Sequence, residues 1–127
     1  MPIQRVNPSN VPHLKGLSAT VRVGNTVYIA GQVALDENLK LHGEGDPEAQ
    51  LKQIYKNLDN ACRAHGGTLA NMVKTITYIT DIAYYPAISK AREEAYGDDP
   101  PVNTTVVITE LAQPEMLIEI EGIAHIE

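Results

Sequence analysis

From Asp46 to Gly67 the apolar residues recur every three or four positions. Leu51, Ile54, Tyr55, Leu58, Ala61 and Cys62 fall at i, i+3, i+4, i+7, i+10 and i+11, a single stripe along a helix. Lys52, Gln53, Lys56, Asp59 and Asn60 lie mostly off it. Asp46 supplies an N-cap oxygen, and Pro47 takes the first helical position, where its missing N–H costs nothing. Gly66-Gly67 offers the left-handed backbone that ends a helix. A second, shorter helix is expected over Pro86 to Tyr96, opened by proline and closed by Gly97. Its inward stripe, Ile88, Ala91, Ala95 and Tyr96, is mostly small.

The remaining apolar positions follow the period of strands. Residues 2–7 are a weak strand candidate, and Asn7-Pro8-Ser9-Asn10 is a turn cluster. Ser18–Val23 and Thr26–Ala30 flank Gly24-Asn25, a pair suited to a tight hairpin turn. Gly31-Gln32 is expected to break the second run. Met72–Thr80 (MVKTITYIT) is β-branched and aromatic, with apolar residues on both faces, as a central strand requires. Asp98-Asp99-Pro100-Pro101 is a stiff connector before strands at 103–108 and 117–124. The order predicts one domain, residues 1–127, of the α+β class: a mixed sheet with two helices packed on one face.

Composition narrows the setting. At 127 residues, 43% hydrophobic and 20% charged, the chain is ordinary globular material with enough length for a core. No apolar run approaches the roughly 18 residues of a transmembrane helix. The N-terminal MPIQRVNPSN lacks the apolar segment of a secretory signal, and Cys62 is the only cysteine, so a cytoplasmic protein without disulfides is expected. A net charge of −6 and the absence of Trp and Phe argue against a nucleic-acid surface.

Few residues form a catalytic pattern. Cys62 lies on the apolar stripe and reads as a buried thiol. His13, His42, His65 and His125 have no metal-binding spacing; His65 is placed to favour the helix C-terminus by its charge. Gly24 and Gly31 do not form a nucleotide fingerprint. Glu44, Asp46 and Glu48 read as loop and helix-start charge. Glu119 and Glu121 alternate with Ile118 and Ile120, so both carboxylates share a strand face. That pattern fits a solvated face or a carboxylate poised in a cleft to act on water or a nitrogen leaving group.

Three segments carry a resemblance over nearly the whole chain: KGLSATVRVGNTVYIAGQVALD, EAQLKQIYKNLDNACRAHGGTLANMVKTITYITD, and PPVNTTVVITELAQPEMLIEIEGIAHI. They resemble the RidA/YjgF family of reactive-intermediate deaminases. The resemblance implies a chorismate-mutase-like fold, a homotrimer with ligand clefts between subunits, and hydrolysis of enamines or imines to a ketoacid and ammonia without metal or organic cofactor. The family glutamate matches Glu119, and the Gly-Gln after the hairpin matches Gly31-Gln32, with Ala30 where serine is frequent. The family tyrosine falls on Leu17, and the arginine that grips a substrate carboxylate falls on Asn103. The chain thus resembles the arginine-lacking branch. Without that fork, a buried substrate carboxylate beside Glu119 lacks a partner, so a neutral or cationic small ligand is expected, with Asn103 and Thr105 as hydrogen-bonding groups. The expected activity is an enamine/imine deaminase of altered specificity; the alternative is a non-catalytic ligand-binding or regulatory trimer. No nucleic-acid or membrane partner is expected.

Overall fold

The computed structural model describes residues 1–127. Six strands form one sheet: β1 (Ile3–Val6), β2 (Thr20–Val23), β3 (Thr26–Gln32), β4 (Met72–Ile79), β5 (Val102–Val107) and β6 (Ile118–His125). Their spatial order is β1-β2-β3-β6-β4-β5. Only β4 and β5 run parallel; the other neighbours are antiparallel. The helices are α1 (Pro47–Arg63) and α2 (Tyr85–Tyr96). Because β4 and β5 point the same way, the chain must cross back between them, and α2 makes that crossover. The fold is the expected mixed sheet with both helices on one face.

Helix α1 begins and ends where local chemistry sets it. The Asp46 side chain accepts from the Ala49 amide at 3.2 Å, with Pro47 in the first turn. Gly66, at φ +86°, turns the chain away after α1, while the Gly67 amide donates to Cys62 O at 3.0 Å. Gly24 takes φ +59° in the two-residue turn between β2 and β3. The stripe on α1 is buried as the spacing requires: Leu51, Ile54, Leu58, Ala61 and Cys62 pack with Ile79, Ile88, Ile118, Ile120 and Ala124 in the main core.

Three features depart from the sequence reading. β3 does not stop at Ala30 but runs through Gln32, with a register shift against β6 between Ile29 and Gln32. The extra residue is absorbed as a bulge, so Ala30 and Gly31 together face Glu121. Gln53 is buried rather than solvated, as are Gln50 and Asn57. These amides hold loop backbone against α1. Asn57 Nδ2 donates to Leu35 O at 2.8 Å and Val33 O at 3.3 Å, and Gln50 Nε2 donates to Glu115 O at 2.8 Å. His65 does not act through charge. Its ring lies 2.8 Å from Thr20 Oγ1, and burial together with Arg22 holds it below the usual imidazole range, favouring the neutral form.

Candidate functional site

Strand β6 separates its two faces by simple alternation. Ile118, Ile120, Gly122 and Ala124 point toward the helices and are buried. Glu119 and Glu121 occupy the face that no helix covers. Glu119 pairs with Tyr78 across β4, and Glu121 pairs with Ile76. The Tyr78 hydroxyl reaches diagonally to donate to Glu121 Oε1 at 2.6 Å. Neither carboxylate belongs to any of the three ion pairs in the chain.

The bulge in β3 completes the surroundings of Glu119. It brings the Gly31 backbone against that carboxylate so closely that a Cβ there would lie 2.5 Å from Glu119 Oε2. Glycine at this position is therefore a matter of space, since its φ is not in the left-handed region. Glu119 is half-buried. Burial, and secondarily the charge of Glu121, raises its proton affinity above the ordinary carboxylate range. A carboxyl held in this way exchanges a proton closer to neutral pH than a solvated one, as acid–base chemistry requires.

A small cavity of about 30 Å³ adjoins Gly31, a volume on the scale of one water molecule. Leu17, Ala30, Gly31, Gln32, Val33 and Leu35 are among its lining residues. Gln32 Oε1 is buried without a hydrogen-bond partner, while the amide end of the same side chain donates to Ala30 O at 3.2 Å. The cavity thus joins Leu17, Ala30 and Gly31, and Glu119 approaches this group at Gly31. A much wider groove of about 740 Å³ lies between α1 and α2, with Tyr55, Leu69 and Ala91 along it, on the far side of the sheet from Glu119.

Asn103 and Thr105 do not join that cluster within the chain. They pair in register with Thr75 and Thr77, whose side chains point to the helix-covered face. Asn103 Nδ2 donates to Thr75 Oγ1 at 2.8 Å and Thr77 Oγ1 at 3.0 Å, so its amide is spent inside the fold. Two functional-looking side chains escaped the sequence reading. Tyr78 was legible only as one face of a strand, because its partner Glu121 is 43 residues away. Arg92 reaches Asn103 Oδ1 at 2.7 Å from α2. The available signal was its spacing, four residues after the buried Ile88, which puts a cation beside the inward face of the helix.

Residues 9–126 match the family model described as Endoribonuclease L-PSP. The chain belongs to the RidA/YjgF family. The 3-aminoacrylate deaminase RutC of Acinetobacter baylyi is 29% identical over 127 residues, covering 99% of this chain and all of that protein. The crystal structure of RidA from an Antarctic Psychrobacter superposes with a TM-score of 0.90 at 31% identity, covering 97% of this chain and 99% of that one. The YjgF gene product of E. coli shares the fold, with a TM-score of 0.87 at 23% identity over 96% of this chain and 98% of that one. For this RidA/YjgF chain the matched region holds the entire Glu119 cluster. No helix is long and apolar enough to cross a membrane.

Proposed function

We propose that this RidA/YjgF protein hydrolyses a small neutral or cationic imine or enamine, with Glu119 as the proton-transfer group. The observation that carries the reading is the half-buried Glu119 carboxylate, raised in proton affinity and seated against Gly31 on an otherwise uncovered sheet face. For an imine that enters as its protonated iminium, Glu119 takes a proton from water as the oxygen adds to the C=N carbon, giving a neutral carbinolamine. Glu119 passes that proton to the amine nitrogen, and the C–N bond breaks as the carboxylate takes the hydroxyl proton; the carbonyl forms and the proton leaves with ammonia as ammonium. Tyr78 and Glu121 flank the acid, and Leu17 and Ala30 line the adjoining cavity. The relationship to a 3-aminoacrylate deaminase supports C–N hydrolysis as the chemical class. No cationic side chain forms an ion pair with Glu119, which supports a ligand without a carboxylate.

The functional unit in this reading is a homotrimer. The uncovered face carries Val21, Tyr28 and Ile123 in register, with Ile76 and Val106 on the same face of β4 and β5, apolar surface that self-association would remove from water. Light scattering tests this assembly; a monomeric mass would remove the intersubunit cleft from the proposal. The activity is tested by generating neutral and acidic imines in place and measuring ammonia release. Release from the neutral imine, lost in Glu119→Gln, is the expected result. No release above buffer from either would leave the non-catalytic ligand-binding reading.

A further inference from the structure

Glu119 is confined from both neighbouring strands. The Gly31 backbone of β3 closes one side, and Tyr78 of β4 stands directly opposite it on the other. Tyr78, Glu119 and Glu121 share the face that no helix covers, and all three are half-buried. The Tyr78 backbone is level with Glu119, yet its hydroxyl donates to Glu121 Oε1 at 2.6 Å. The bond therefore runs diagonally, a reach that aromatic and long side chains can make across a sheet, and ties the level of Glu119 to that of Glu121.

Spacing makes Glu121 the nearest charge to Glu119 on these strands. Two residues along β6 separate their Cα atoms by about 7 Å. The other titratable groups on this face of the adjacent strands are Lys74 of β4 and Tyr28 of β3, both level with Ile123. Ile123 lies four residues from Glu119, about 13 Å along the strand. Neither acid is paired with a cation. A like charge beside a half-buried carboxyl disfavours its ionised form, and the effect weakens with separation. A solvated glutamate samples several rotamers, so the position of its charge is set only where a partner holds it. Tyr78 is such a partner. The bond to Glu121 first, then burial and the charges of both acids, raises the Tyr78 phenol above its ordinary range, so it keeps the proton it donates.

We propose that Tyr78 is a positioning residue for Glu119: its hydroxyl holds the Glu121 carboxylate at a fixed distance from Glu119, and that distance sets the pH at which Glu119 works. The role rests on the reading of Glu119 as the proton-transfer group. Tyr78 touches neither the substrate nor the reacting atoms in this role; it acts through Glu121.

The test is a carboxyl-carbon NMR titration of the full-length protein with labelled glutamate, run on wild type, Tyr78→Phe, Glu121→Gln and Tyr28→Phe. The Glu119 signal is assigned by its loss in Glu119→Gln. Its midpoint is expected to fall toward the ordinary carboxylate range in Tyr78→Phe, and at least as far in Glu121→Gln, which keeps the hydrogen-bond acceptor and removes the charge. Tyr28→Phe, on the same face but four residues along, is expected to leave it in place. The acid limb of the pH–rate profile for ammonia release is expected to move to lower pH in the same order. A carboxyl of lower proton affinity stays ionised, and able to take a proton from water, further into acid. A lost packing contact would instead lower the rate at every pH without moving that limb. An unmoved or raised Glu119 midpoint in Tyr78→Phe would overturn the assignment, as would an equal shift in Tyr28→Phe. Should Tyr78→Phe not fold, an unmoved midpoint in Glu121→Gln would overturn it equally. Absence of ammonia release from every protein would refute the hydrolase reading alone, because the carboxyl titration needs no turnover and still decides the role of Tyr78.

Discussion

Asn57 offers a direct test of how the cavity beside Gly31 is held. Its side chain is buried on α1, and its hydrogen bonds cross to the segment that follows β3. It donates to Leu35 O at 2.8 Å and, more weakly, to Val33 O at 3.3 Å. It also accepts from Gln53 Nε2 at 2.9 Å. Replacing Asn57 with Ala removes two well-formed hydrogen bonds and one weak one, leaving buried groups under-satisfied. At about 1 kcal/mol for each good bond, with a further ~1 kcal/mol for the weak bond and the exposed need of Leu35 O, the loss is about 3 kcal/mol. A chain of 127 residues has an unfolding entropy of about 0.27 kcal/mol/K, so Tm should fall by about 10 °C. Thermal unfolding followed by circular dichroism, at fixed protein concentration, reads this out. The control is Asn60→Ala, which removes one exposed bond to Asn10 O at 3.2 Å and should change stability by no more than about 0.5 kcal/mol. If Asn57→Ala unfolded within about 2 °C of wild type, the buried amides would not be what holds Val33 and Leu35 on the helix.

Gly31→Ala should leave the fold intact, because the group its Cβ meets is the movable end of Glu119 rather than backbone. The carboxylate must shift, and a change in the Glu119 carboxyl NMR titration is the expected signature; an unaltered curve would mean that Gly31 does not set its position. The raised proton affinity of Glu119 means the folded state holds this proton more tightly than the unfolded chain does. Its contribution to stability therefore grows as pH falls through the folded-state pKa, and its ionised form is unfavourable above it. Glu119→Gln should accordingly be at least as stable as wild type at neutral pH in urea unfolding and should flatten the acid-side dependence; a clear neutral-pH destabilisation would contradict the burial argument. Burial, with Asp59 second, pushes the Cys62 thiol up to about 12, so a disulfide reagent should modify it only as the protein unfolds. Rapid modification of native protein would place the thiol outside the core.

Much of the scaffold was legible from local chemistry. Asp46, Pro47 and the stripe from Leu51 to Cys62 mark α1, and the Gly24-Asn25 pair marks the first hairpin. The alternation of Glu119 and Glu121 with isoleucine correctly put both acids on one strand face. The extension of β3 past Ala30 was not legible, because Gly31-Gln32 looks like a turn until β6 pairs with it. Gln53 was set off the apolar stripe because periodicity registers polarity, not the distant carbonyls that let the amides of Gln50, Gln53 and Asn57 be buried.

The sequence by itself determined most of the elements, the α+β class and the family, since caps, turn residues and hydrophobic period act over a few neighbouring positions. Only the tertiary structure decided which groups share a site. Strand pairing set Tyr78 beside Glu119 and gave its hydroxyl to Glu121, and the bulge in β3 delivered Gly31 to the Glu119 carboxylate. The same pairing put Asn103 on the opposite face, where α2 supplies Arg92 to it. Those placements depend on register between strands and on the packing of a helix, and neither is written in the spacing of residues along one segment.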